Sequence, residues 1–180
     1  GHATFLIKLG NTTVITDPVF EKNMGPLIFG PKRYVDPAID LEELPEINLF
    51  LLTHNHYDHL DYQTILKITR KQINSQPLVL VPLKLKKLLK SFGARNVREL
   101  DWWDTTTFKN FNIHSVPVQH WSNRSFNTKK TLWCGWVFEN EDFKSIFVGD
   151  TGYSKDFSTI QQKFGPMDLS MICLLYTSPS

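Results

Sequence analysis

The sequence predicts a mixed α/β chain, sheet packed on sheet with helices outside. Short β-branched and apolar runs recur along it, two or three amphipathic segments interrupt them, and Gly and Pro punctuation separates the two kinds. With 180 residues and 41% hydrophobic content, the chain buries one sizeable core, so a single domain is expected.

Residues 3–9 and 12–17 read as strands joined by a hairpin at Gly10-Asn11. Residues 21–45 hold Gly25, Pro26, Gly30, Pro31, Pro37 and Pro45 and read as a long loop, a length that in compact domains signals function or disorder. Residues 49–53 form a continuous apolar run that stops abruptly in histidines, as a buried strand delivering a site does. A helix over 61–74 follows, with Asp61 as N-cap and Ile65, Leu66, Ile68 and Ile73 turned inward. Residues 78–81 read as a short buried strand and 84–91 as a helix stopped by Gly93. Strands over 112–119, 132–139 and 145–149 complete the series.

A formal charge of +2 argues against a general nucleic-acid binder. Cys134 and Cys173 make neither a C-x-x-C pair nor a disulfide framework, which fits a reduced intracellular setting, cytoplasmic or peripheral on membranes. No apolar run reaches the roughly 18 residues of a membrane span. The chain opens at Gly1 without a methionine and is read as a fragment or processed form.

The chemistry gathers in His54-Asn55-His56-Tyr57-Asp58-His59, which holds three of the six histidines. In an extended segment, residues two apart point the same way, so His54 and His56 grip one ion together. Asp58 and His59 lie where the chain bends into the helix and face a neighbouring ion. Imidazole and carboxylate suit zinc, and also iron or manganese. A solvated polar turn is the bland alternative, but it leaves unexplained why the cluster directly follows a buried strand. His120, ending a strand read over 113–119, and Asp150, after the strand 145–148, add ligands from two further strand ends. His114 reads as structural. His2 reads either as a donor orienting a ligand or as a strand-edge residue.

His54-x-His56-x-Asp58-His59, His120 and Asp150 in Gly149-Asp150-Thr151-Gly152 resemble the metallo-β-lactamase superfamily. Further stretches resemble its N-acyl-phosphatidylethanolamine-hydrolysing phospholipase D family. Among them are Gly1-His2-Ala3-Thr4, Thr16-Asp17-Pro18, Gly30-Pro31-Lys32-Arg33-Tyr34, Leu100-Asp101-Trp102-Trp103, Gln119-His120-Trp121 and Phe164-Gly165-Pro166. The resemblance implies an αββα sandwich, incomplete at both ends, with two zinc ions. His54, His56 and His120 would hold the first ion and Asp58 and His59 the second, with Asp150 bridging. The family places one more histidine downstream that this chain does not contain. Residues 1–172 are therefore read as the hydrolase domain, and 173–180, which depart from the family pattern, as a foreign or disordered tail.

The implied reaction is hydrolysis of N-acyl-phosphatidylethanolamine to an N-acylethanolamine and phosphatidic acid. An activated water attacks phosphorus directly, and Asp58 orients it and assists proton delivery. The expected partners are the phospholipid substrate and a peripheral membrane surface, with a homodimer admitted and no nucleic acid. Trp121 and Tyr153 are the expected substrate contacts. Apolar surface comes from Leu27, Ile28 and Phe29 with Trp102 and Trp103, unless the last two simply anchor a strand end. Lys84, Lys86, Lys87 and Lys90 meet anionic headgroups or form a solvated face. Two rivals stand beside this reading: another hydrolase on the same metals, acting on a lactone, thioester or phosphorylated sugar in a narrow polar pocket, and a non-catalytic metal-binding fragment.

Overall fold

The computed structural model describes residues 2–25, 30–124 and 130–174 and arranges them as two five-stranded sheets. The first sheet runs in the order β1 (Leu6–Leu9), β2 (Thr12–Thr16), β3 (Leu49–Leu51), β4 (Leu78–Pro82), β5 (Val97–Leu100). β1 and β2 are antiparallel; the remaining pairs are parallel. The β3–β4 crossover carries α1 (Tyr62–Lys71), and the β4–β5 crossover carries α2 (Lys86–Ser91). The second sheet takes β6 (Thr105–Phe108), β7 (Phe111–Val116), β8 (Gly135–Glu139) and β9 (Lys144–Thr151) as an antiparallel meander. β10 (Leu169–Leu174) then adds parallel to β9 after α3 (Asp156–Phe164).

The period-two alternation of strands sorts the core into layers. Val14, Leu49, Leu51, Leu78 and Leu80 face the other sheet and meet Ile113, Trp136, Phe138 and Phe147. Their neighbours Ile15, Phe50, Leu52, Val79 and Val81 face the opposite way and pack with Ile65, Ile68 and Leu89 of α1 and α2. On the far sheet Val116, Val137, Ile146 and Val148 meet Ile160 and Phe164 of α3. Three apolar interfaces between four layers make an αββα sandwich. Each fully buried Leu, Ile or Phe contributes about 1.5–3 kcal/mol, so these interfaces outweigh any single polar contact. Among the described residues, no helix is long and apolar enough to cross a membrane.

The hairpin turns at Gly10, which has the positive φ of +56° such a turn needs. Asp61 caps α1, accepting from Gln63 N–H and Thr64 N–H. The helix stops at Lys71, three residues short of the expectation, so Ile73 is exposed; Thr64, Ile65, Ile68 and Thr69 form the inner face. The strand expected to run to residue 119 ends at Val116, because Pro117 removes a ladder donor. β5, β6, α3 and β10 were not anticipated. Cys173 and Leu174 continue β10 opposite Asp150 and Thr151. Residues 27–29 and 175–180 lie outside the described residues, and with them the expected Leu27-Ile28-Phe29 patch.

Candidate metal centre

The sheets are tied together at the end of β3. Cys134 N–H donates to the Thr53 carbonyl (2.9 Å), and the Trp136 indole N–H donates to the Leu52 carbonyl (3.0 Å). At the same edge Asp17, just past β2, donates its N–H to Leu51 (3.1 Å), and Gly152 donates to Gln119 (2.8 Å). Four separate segments therefore deliver side chains to one place.

Asp17 organises them. It is wholly buried, its Oδ1 accepts the Thr53 N–H (2.8 Å), and its Oδ2 accepts both the Thr53 hydroxyl (2.6 Å) and His59 Nδ1–H (2.7 Å). With its proton committed to Asp17, the Thr53 oxygen can only accept, and it does so from His54 Nδ1–H at 2.9 Å. That fixes the His54 tautomer and leaves its Nε2 lone pair for the site.

His54 Nε2 lies 2.8 Å from His56 Nδ1, and His120 Nε2 lies 3.2 and 3.3 Å from these two. Nitrogens bound at 2.0–2.1 Å to one tetrahedral ion stand about 3.3 Å apart, so the triangle has the size a shared zinc would impose. Burial, followed by the neighbouring imidazoles, lowers the His54 pKa well below 6.5. Burial likewise lowers His56, and it lowers His120 to about 4. All three rings are neutral at physiological pH, the form that binds metal.

Beside this triangle, ligand atoms of His2, Asp58, His59 and Asp150 all lie within 4.8 Å of one another. The His54 and His59 rings are 4.1 Å apart, so the two groups adjoin. His59 Nε2 is buried 3.2 Å from Asp150 Oδ2, yet the two are not aligned as a hydrogen bond, and Nε2 has no other partner among the described residues. Such a nitrogen costs about 1–3 kcal/mol unless something occupies the space it faces. An imidazole nitrogen and a carboxylate oxygen side by side, with Asp58 and His2 atoms within 4.8 Å, fit an ion.

Burial alone would lower the His59 pKa, but the Asp150 and Asp17 carboxylates on either side outweigh it and raise it to about 10. Burial would raise Asp150, yet His2 and His59 hold it far below the usual carboxylate range. His2 Nε2 sits 3.1 Å from Asp150 Oδ1, so of its two readings the donor to a ligand carboxylate is the one observed.

All six sequence-derived ligands thus meet: His54, His56 and His120 in one group, and Asp58, His59 and Asp150 in the other. Two of them stand differently from expectation. His120 lies beyond its strand, held through the Gln119–Gly152 bridge, and Asp150 is inside β9, not past its end. Trp121, 42% exposed, packs edge-to-face with the His56 ring, their centres 4.5 Å apart. Tyr153 is 86% exposed and stacks on Phe157. Trp102 and Trp103 pack against the inter-sheet and α3 cores, the anchoring alternative. His114 Nδ1 lies 2.8 Å from the Thr105 hydroxyl, a cross-strand tie, while its Nε2 stands 3.3 Å from Glu139 without forming a hydrogen bond. Lys84, Lys86, Lys87 and Lys90 are exposed. Sequence reasoning gave Asp17 no role, although an Asp directly after an apolar strand and before Pro18 was a usable signal.

An αββα sandwich with two groups of histidine and carboxylate ligands at one edge defines a class, and comparison places the chain in it. Residues 12–180 match the β-lactamase superfamily domain, and the chain belongs to that family. It is 38% identical over 184 residues to N-acyl-phosphatidylethanolamine-hydrolyzing phospholipase D 1 of Caenorhabditis elegans, covering 96% of this chain and 51% of that protein. To the mitochondrial N-acyl-phosphatidylethanolamine-hydrolyzing phospholipase D of Saccharomyces cerevisiae it is 36% identical over 159 residues, covering 84% and 33%. The crystal structure of CmlA, a diiron β-hydroxylase from Streptomyces venezuelae, matches 94% of this chain and 32% of its own at TM-score 0.71 and 22% identity, a likeness of fold. The chain spans about half the length, or less, of these curated relatives.

Proposed function

We propose that the protein belongs to a zinc-dependent phosphodiesterase of the phospholipase D type, hydrolysing N-acyl-phosphatidylethanolamine. His54, His56 and His120 would hold one ion, and Asp58, His59 and Asp150 a second. Two ions held there would supply an activated water and positive charge for the phosphoryl oxygens. Asp58 orients that water for attack on phosphorus. Asp58 takes the proton that the attacking water gives up and passes it to the departing oxygen as the phosphorus–oxygen bond to the N-acylethanolamine breaks, leaving phosphatidic acid. Asp17 and Thr53 keep His54 and His59 in the tautomers this arrangement needs, and His2 holds the Asp150 carboxylate.

The observation that carries the lipid reading is a cavity of about 540 Å³ lined by Leu6, Ile15, Val19, Phe20, Ile39 and Leu44. It reaches the metal ligands through His2, which lines it while contacting Asp150. Each acyl methylene buried there contributes about 0.8 kcal/mol, so a few of them outweigh a hydrogen bond to a polar competitor. Lys32 and Arg33 also line it, suited to a phosphodiester's charge, and Tyr34 and Val35 stand fully or largely exposed on the same wall, suited to a membrane surface. A lactone, thioester or sugar phosphate would favour a narrow polar pocket, whereas the apolar lining of this neighbouring cavity supports the lipid.

The zinc-loaded full-length protein should release N-acylethanolamine and phosphatidic acid from vesicles containing N-acyl-phosphatidylethanolamine, and the 180-residue chain should show little of this activity. Asp58→Asn should lower that rate about 100-fold or more with the fold unchanged. Turnover of lactones or sugar phosphates but not the lipid would sink the substrate assignment. An Asp58→Asn rate within about threefold of the parent would remove Asp58 from proton transfer.

A further inference from the structure

The loop bearing His56, Asp58 and His59 leaves β3 and enters α1 without belonging to either, so its shape has to be imposed from outside. The segment that supplies His120 touches it repeatedly. Trp121 packs on the His56 ring. The Ser122 hydroxyl, buried, donates to Asn55 Oδ1 at 2.7 Å and so takes its own hydrogen bond from Thr131 Oγ1, also at 2.7 Å. Arg124 reaches furthest. One guanidinium nitrogen donates to the Leu60 carbonyl at 2.6 Å and to the Asn55 carbonyl at 3.2 Å, and the plane lies 4.0 Å from the Tyr57 ring centre and 5.6 Å from that of Phe92.

We infer that Arg124 is a positioning residue that grips both ends of the ligand loop and holds its donors in register with His120 before any ion arrives. The carbonyls it binds flank residues 56–59. Fixing them sets where the loop leaves and rejoins the framework, and the Tyr57 stack pins its middle. A planar guanidinium does this because it binds two oxygens while its face covers a ring, whereas an ammonium of the same charge offers only a point. The metal-free loop is thereby ordered in advance, and less ordering is left to oppose metal binding. The inference rests on the reading that this loop binds metal, but its effect on loop order does not.

Amide hydrogen exchange and zinc affinity, by chelator competition, should be measured on parent, Arg124→Ala and Arg124→Lys proteins. In metal-free Arg124→Ala, amides of residues 55–60 should exchange at least several-fold faster than in the parent, with strands β7–β9 unchanged. Zinc affinity should fall about 10–100-fold, the range typical for residues that support ligands. Millimolar guanidinium ion should restore part of both losses. If Arg124→Ala does not fold, Arg124→Lys carries the test, since it should fail in the same two measurements. Parental exchange and affinity in either folded variant would overturn the inference. A parent that binds no zinc would sink the metal reading, and the exchange comparison would still decide the role of Arg124.

Discussion

Asp17 is the residue on which the site's protonation pattern turns. Three donors converge on its carboxylate, and Asn at this position must point its NH₂ at one or more of them. Asp17→Asn should therefore weaken zinc binding about 10–100-fold and lower stability by about 1–3 kcal/mol. Chelator competition and thermal unfolding measure the two effects, and zinc affinity equal to the parent's would show that Thr53 and His59 are oriented by something else. Four of the ligands were legible in the sequence because His54-x-His56-x-Asp58-His59 needs only local geometry to converge, and His120 and Asp150 joined them through their strand-end positions and the family pattern. Asp17 was not, because its partners lie on another strand and only the fold brings them together.

At the scale of elements, close approach of β9 to the end of β3 makes Gly149 a structural requirement. Its φ is +65°, and a Cβ there would lie 2.7 Å from Thr53 Oγ1, the atom that orients His54. Gly149→Ala should cost about 1–3 kcal/mol in backbone strain alone. By displacing Thr53 it should also loosen zinc. A melting temperature and zinc affinity matching the parent would refute the contact. Which elements could be read from sequence follows their burial. β3 and β4, apolar throughout, announce themselves. β5 carries the consecutive charges Arg98 and Glu99, and β6 has two exposed threonines, so both escape a search for apolar runs. α3 buries only Ile160 and Phe164, too few for a clear helical stripe.

For the whole molecule, the buried imidazoles make metal-free stability depend on pH in two directions. His59 has its pKa raised from 6.5 to about 10 in the fold. Its contribution is fully present below pH 6.5 and disappears as pH rises through about 10. His120, lowered to about 4, acts oppositely: its contribution is present above pH 6.5 and lost as pH falls through about 4. His54 and His56 shift in the same direction as His120. Denaturant unfolding across this range should place the stability maximum of the metal-free protein between the two windows, and a steady rise up to pH 10 would contradict the His59 assignment. The central claim, that one sandwich edge holds two ions, is tested most directly by anomalous scattering at the zinc edge from zinc-loaded crystals. Two peaks about 3.5–4 Å apart are predicted, one among His54 Nε2, His56 Nδ1 and His120 Nε2, the other against Asp58, His59 and Asp150. Zinc found elsewhere, with no peak inside the histidine triangle, would contradict it.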